Sequence, residues 1–183
     1  VAFSFIFIAI SLILPTGESH AQILGNTGTG WSMRGTDPIE LYFGDKLVTK
    51  YHAGYEEGKP FFYPIIGPNG ENMTREWPAK KGSEDNEADH PHHRGMWYGL
   101  SNVSGFNFWD FPGAEAGKDI AIGIIRHKGM NGVMIKGPTI TFKTKSEWLD
   151  AADPVRRICS DQREFTFFYR EDGSLVIDLT LNL

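Results

Sequence analysis

A single cysteine, Cys159, stands among 183 residues, which excludes an internal disulfide framework and any zinc site built from several thiolates. Ile158 and Ser160 flank it in a strand-like segment, so a buried structural thiol is expected there. Basic residues are in deficit: 18 Lys and Arg against 23 Asp and Glu give a formal net charge of −5. With no run of like charge either, the chain lacks the electrostatic footprint of a nucleic-acid binder. No segment keeps a 3.6-residue apolar period over a helix length, and no phosphate-cradling glycine loop or internal repeat is present. Beyond the first residues, no apolar run is long enough to span a bilayer.

What is present begins with an apolar run, Ala2 to Leu14, interrupted by Pro15 and Gly17 and followed by Ser19-His20-Ala21. That triplet has small residues where a signal peptidase reads. The run is short for a span, and neither an initiator Met nor a basic segment precedes it. Residues 1–21 are expected to be a signal peptide truncated at its start, with a retained anchor as the alternative. The protein is then exported, periplasmic or extracellular, with no membrane span after cleavage. Residues 22–38, rich in Gly, Thr and Asn, read as a flexible lead-in.

From residue 39 the chain reads as short strands separated by turn residues. Ile39 to Phe43 and Lys46 to His52 flank a Gly44-Asp45 hairpin turn. Pro60 to Ile66 is aromatic and β-branched and closes in Gly67-Pro68-Asn69-Gly70. Residues 79–88 read as an exposed loop. Ile120 to Arg126 and Val133 to Lys136 flank an expected turn at Gly129 to Gly132. Thr139 to Lys145, Arg163 to Arg170 and Leu175 to Leu183 alternate apolar with polar residues, the pattern of half-buried strands. With 40% hydrophobic residues to fill a core, the expected fold is all-β, an antiparallel β-sandwich of the super-sandwich kind. The last strand runs to Leu183 without a turn, so residues 39–183 read as the N-terminal portion of one incomplete β domain.

The densest chemistry lies in Asp89-His90-Pro91-His92-His93-Arg94-Gly95, which holds three of the six histidines. Pro91 keeps His90 out of the α region, so the run is extended and alternate side chains share a face. His90, His92 and Arg94 should point one way, and Asp89 and His93 the other. Aromatic residues follow at once: Trp97, Tyr98, Phe106, Phe108, Trp109 and Phe111.

Tyr63-Pro64, Gly67-Pro68, Gly70, Thr74-Arg75, the block from Asp89 through Gly95 with Met96-Trp97-Tyr98-Gly99, and Asn107-Phe108-Trp109 together resemble the PmoA-like family of exported bacterial proteins. The resemblance runs from about Ile39 to the end. Members look longer than this chain. The family label implies a methane oxygenase subunit, and hence a metal-dependent oxidoreductase. The occurrence of members in bacteria that degrade polysaccharides implies a carbohydrate role.

Three readings of the cluster stay open. In the first, His90 and His92 converge on one divalent transition metal, joined by His52, His127 or Glu76. In the second, His90, His92 or His93 is the acid/base of metal-free sugar chemistry, with Asp89 orienting an imidazole and Arg94 facing an anion or oxyanion. Trp97, Tyr98 and Trp109 would then supply flat surfaces for a pyranose, Asn107 or Asn102 a hydroxyl contact, and Tyr63 and Arg75 further walls. The third reading is a non-catalytic carbohydrate-binding or purely structural block, in which the aromatics are ordinary core.

Overall fold

The alternation of apolar and polar residues translates directly into two facing sheets in a computed structural model, which describes residues 24–25, 30–54, 58–77, 93–110 and 120–183. The first sheet has the order β1-β2-β3-β4-β5-β6, formed by Leu24–Gly25, Trp31–Arg34, Ile39–Phe43, Lys46–His52, Phe61–Ile65 and Met96–Trp97. The second has the order β11-β10-β9-β8-β7, formed by Leu175–Asn182, Arg157–Tyr169, Thr139–Asp150, Ala121–Lys136 and Phe106–Asn107. All pairings are antiparallel except β7 with β8, which is parallel. Among the described residues there is no helix, and the fold is the all-β sandwich expected.

The period of two decides what lies between the sheets. Trp31, Met33, Leu41, Val48, Tyr51 and Phe62 from the first sheet meet Ile140, Phe142, Phe165 and Phe167 from the second. A second cluster of Phe106, Phe108, Ile125 and Trp148 packs beside it, with Tyr98, Leu100 and Cys159 at its margin. Cys159 is half-buried, and burial with the nearby Asp161 carboxylate pushes its thiol up, as suits a structural group.

Two expectations are corrected. Gly129 to Gly132 is not a turn: β8 runs unbroken from Ala121 to Lys136, with register shifts at His127/Gly129 and Asn131/Met134. The glycines serve β-bulges, Gly132 taking a positive φ of 61°. The stretch 22–38 is not merely a lead-in, because it contains β2, whose Trp31 and Met33 are core residues. Trp31 is held further by its indole N–H donating to the Pro138 carbonyl at 2.7 Å. The leader at 1–21 and the loop at 79–88 lie outside the described residues.

The interior also holds polar groups. Asp161 Oδ2 accepts hydrogen bonds from Arg163 Nη2 at 2.6 Å, Arg163 Nε at 3.0 Å and Trp148 Nε1 at 2.7 Å. Tyr51 shares a 3.0 Å hydrogen bond with His127 Nδ1. Burial raises the Tyr51 phenol and lowers His127, so both stay neutral.

Candidate functional site

The outer face of the first sheet changes character across its width. On β2 to β4 it is polar: Arg34 stacks over Tyr42, and Glu40 pairs with Lys50 at 2.7 Å. Lys50 is also the main reason the Glu40 carboxyl titrates below its ordinary value. On β4 to β6 it is aromatic. His52 lies flat on its register partner Phe61, with centroids 4.6 Å apart and 6° between planes, and Trp77 closes over both rings and Tyr63. His52 Nε2 lies 2.9 Å from the Tyr63 carbonyl oxygen, so that nitrogen is the donor. Phe61 is in turn the register partner of Trp97, which places Trp97 on this outer face and its neighbour Met96 on the core side.

Trp97 opens onto a cleft of about 500 Å³ lined by Met73, Thr74, Arg75, His93, Gly95, Met96, Trp97 and Trp109. The two indoles meet edge to face, with centroids 4.6 Å apart and 61° between planes. His93 stands beside both, 6.4 Å from Trp97 and 6.3 Å from Trp109. The cleft forms where β6, the edge of one sheet, approaches the end of β7, the edge of the other.

Local chemistry shapes each wall. Asn72 Oδ1 accepts from Thr74 N at 3.0 Å and Thr74 Oγ1 at 2.6 Å, an Asx turn that sets the backbone just before Arg75. Asn107 Oδ1 accepts from Trp109 N at 2.8 Å and Asp110 N at 3.2 Å, while its amide donates to Asp110 Oδ2 at 2.7 Å. Gly95, with φ 62°, lies where a Cβ would sit 2.2 Å from the Phe62 carbonyl oxygen, so no larger residue lets β6 lie this close to β5.

Of the residues singled out by sequence, Arg75, His93, Trp97 and Trp109 are brought together. Asn107 shapes the Trp109 loop rather than lining the cleft. Tyr98, next to Trp97, projects the other way, 6.3 Å from the Trp148 ring and under the Arg163 guanidinium. Tyr63 belongs to the neighbouring Trp77 group. Arg94 is 8% exposed and does not line the cleft. Asp89, His90 and His92 lie outside the described residues. His52 and His127, offered as further metal ligands, are separated by the first sheet: His52 is on its outer face, while His127 bonds Tyr51 on the inner one. Among the described residues, no three His, Cys, Asp or Glu side chains are grouped to hold an ion.

Sequence reasoning missed Lys59 and Trp77. Lys59 is 2% exposed, and its Nζ donates to the carbonyl oxygens of Phe108, at 3.0 Å, and Trp109. Burial, then the nearby Arg94 guanidinium, push the Lys59 amine down to about 7, with Asp110 acting in the opposite sense. The Gly58-Lys59-Pro60 context looks like loop, and only the burial of a lone lysine marks it.

A larger groove of about 800 Å³ lies at another place in the fold, lined by Phe43, Leu47, Ile66, Pro68 and Tyr169 among others, with Lys46 as its charged side chain. It contains Gly67, Pro68 and Gly70 of the turn singled out by sequence, but none of the candidate catalytic, sugar-binding or metal-ligating residues.

A family model matches residues 38–183, from the residue before β3 to the last. The chain belongs to DUF6807, a family of unknown function. No curated protein matches it, and no solved structure does. Within this DUF6807 chain the match takes in every described wall of the cleft, from Met73 to Trp109.

Proposed function

We propose that this protein binds a carbohydrate, by preference an oxidised or acidic sugar, in the cleft between Arg75, His93, Trp97 and Trp109, and acts on it with His93 as the proton-transferring group. The observation that carries this reading is the makeup of the cleft. Its two indoles offer apolar faces to a pyranose, while among the described residues its ionisable lining side chains, Arg75 and His93, are both basic. Arg75 presents a planar set of donors suited to a carboxylate. Arg94 adds positive charge behind the wall, near Lys59. The resemblance of the His-Pro-His-His-Arg block to the PmoA-like family, with its carbohydrate association, supports the same reading, as does the leader-like start of the chain for a protein that meets sugars outside the cytoplasm.

Calorimetric titration with sodium glucuronate and with methyl glucoside tests it. Glucuronate should bind more tightly, and Arg75→Ala should remove the preference while leaving glucoside binding in place. His93→Gln should keep binding and abolish any conversion of the sugar. A wild-type protein that binds the sugar and leaves it unchanged would be a binding module. Equal or absent binding of both sugars would reject the ligand class.

A further inference from the structure

Lys59 does not itself line the cleft, yet it is among the most buried described side chains. An ammonium is kept out of water only when its donors are met. Here Nζ donates to two consecutive carbonyls, those of Phe108 and Trp109, and sits 4.1 Å from the centroid of the Trp97 ring. A single group thus contacts the backbone bearing one indole of the cleft and the face of the other.

The surroundings leave this arrangement little freedom. Gly58, the preceding residue, accepts a 2.8 Å bond from Ile125 N and so ties the Lys59 segment to β8. Phe108 is pinned from two sides. A Cβ on Gly99 would lie 2.4 Å from its carbonyl oxygen, and one on Gly123 would lie 2.2 Å from its ring. The carbonyls that receive Lys59 therefore belong to a fixed stretch of chain. Asn107 fixes the same stretch from its other end through the Trp109 and Asp110 amides.

We propose that Lys59 is the positioning residue of the Trp97–Trp109 platform: it holds the two indoles at their mutual angle from beneath, before any ligand arrives. The ligand side of this inference rests on the carbohydrate reading above, but the geometry does not. An indole pair ordered in advance spares the ligand the entropy of ordering each ring.

Ultraviolet circular dichroism of the full chain reads the platform directly, because two indoles this close couple excitonically. The couplet is defined as the part of the spectrum lost in Trp109→Phe. Lys59→Met should unfold cooperatively, lose the same couplet and bind sodium glucuronate about tenfold more weakly. Retention of the couplet in Lys59→Met overturns the inference, as does unchanged glucuronate affinity. If glucuronate binds no form of the protein, the sugar reading fails and the couplet alone decides the role of Lys59. If Lys59→Met does not fold, selectively labelled wild-type protein decides. One lysine ε-methylene resonance should be shifted upfield by the Trp97 ring and return to its ordinary position in Trp97→Leu. No shifted lysine resonance would overturn the inference.

Discussion

Trp97 and Trp109 meet edge to face, centroids 4.6 Å apart, although Trp97 ends β6 of one sheet and Trp109 follows β7 of the other. Their contact closes one seam of the sandwich and builds the candidate site in the same step. Trp109 remains 42% exposed, so it contributes more surface to a ligand than to the core. Trp109→Ala should shift the unfolding free energy by no more than about 1 kcal/mol while weakening glucuronate about tenfold, the equivalent of about 1.4 kcal/mol. Parallel denaturant and binding titrations would show it. A large stability loss would make Trp109 a core residue instead.

The Asp161–Arg163 pair is a charge pair buried in the interior. One carboxylate oxygen takes three donors, and neither side chain reaches solvent to any extent. Asp161→Ala strands the guanidinium and should cost about 3–5 kcal/mol. Replacing both partners, Asp161→Leu with Arg163→Met, should recover most of that loss. Urea denaturation of the single and double variants is the check, and a double variant as unstable as the single would contradict it.

Two buried bases, Lys59 and His127, contribute a pH dependence to stability. Lys59 titrates near 10.5 in the unfolded chain and is pushed down to about 7 in the fold. Between those values the unfolded state holds a proton that the folded state has released, so stability rises with pH. The penalty is fully present below about 7 and is relieved on the way up to 10.5. The gain is bounded by about 1.4 kcal/mol per pH unit. His127, also lowered by burial, acts with the same sign further down: acidification through the ordinary imidazole value of 6.5 costs stability. Melting curves should move to higher temperature from pH 7 to pH 9, by a few degrees for each kcal/mol gained. Lys59→Met should show a flatter profile over that window.

Gly123 has an ordinary φ, so its need for glycine is purely steric. A methyl group there would meet three atoms of the Phe108 ring, the nearest at 2.2 Å. Gly123→Ala should therefore cost about 1–3 kcal/mol by overpacking. It should also disturb the Trp109 carbonyl that Lys59 holds, so that stability and the indole couplet fall together. Loss of stability with an untouched couplet would separate the core from the platform.

How far the sequence revealed the fold depends on what each residue pattern reports. The strand-like runs Ile39–Phe43 and Lys46–His52 about the Gly44-Asp45 turn, and the alternation from Leu175 to Leu183, report strands that appear nearly as read. Gly129 and Gly132 carry no such distinction, because a glycine in a bulge and a glycine in a turn look alike until the partner strand is known. Trp31 and Met33 were hidden because the glycine-rich residues before them dominate the composition there. In the cleft, His93, Trp97 and Trp109 come from the dense histidine-aromatic run of the sequence, whereas Arg75 was singled out only through the Thr74-Arg75 motif of the family resemblance. The separation of Trp97 from Tyr98 follows from strand alternation. Lys59 was not legible, since its role depends on carbonyls 49 and 50 residues away in sequence.

An acidic sugar held against the Trp97–Trp109 pair would alter tryptophan fluorescence during titration with sodium glucuronate. The expected result is a saturable change in emission, weakened by added salt because Arg75 attracts the carboxylate, and largely lost in Trp109→Phe. A saturable change that persists unaltered in Trp109→Phe and Trp97→Phe, or no change at any concentration, would contradict it.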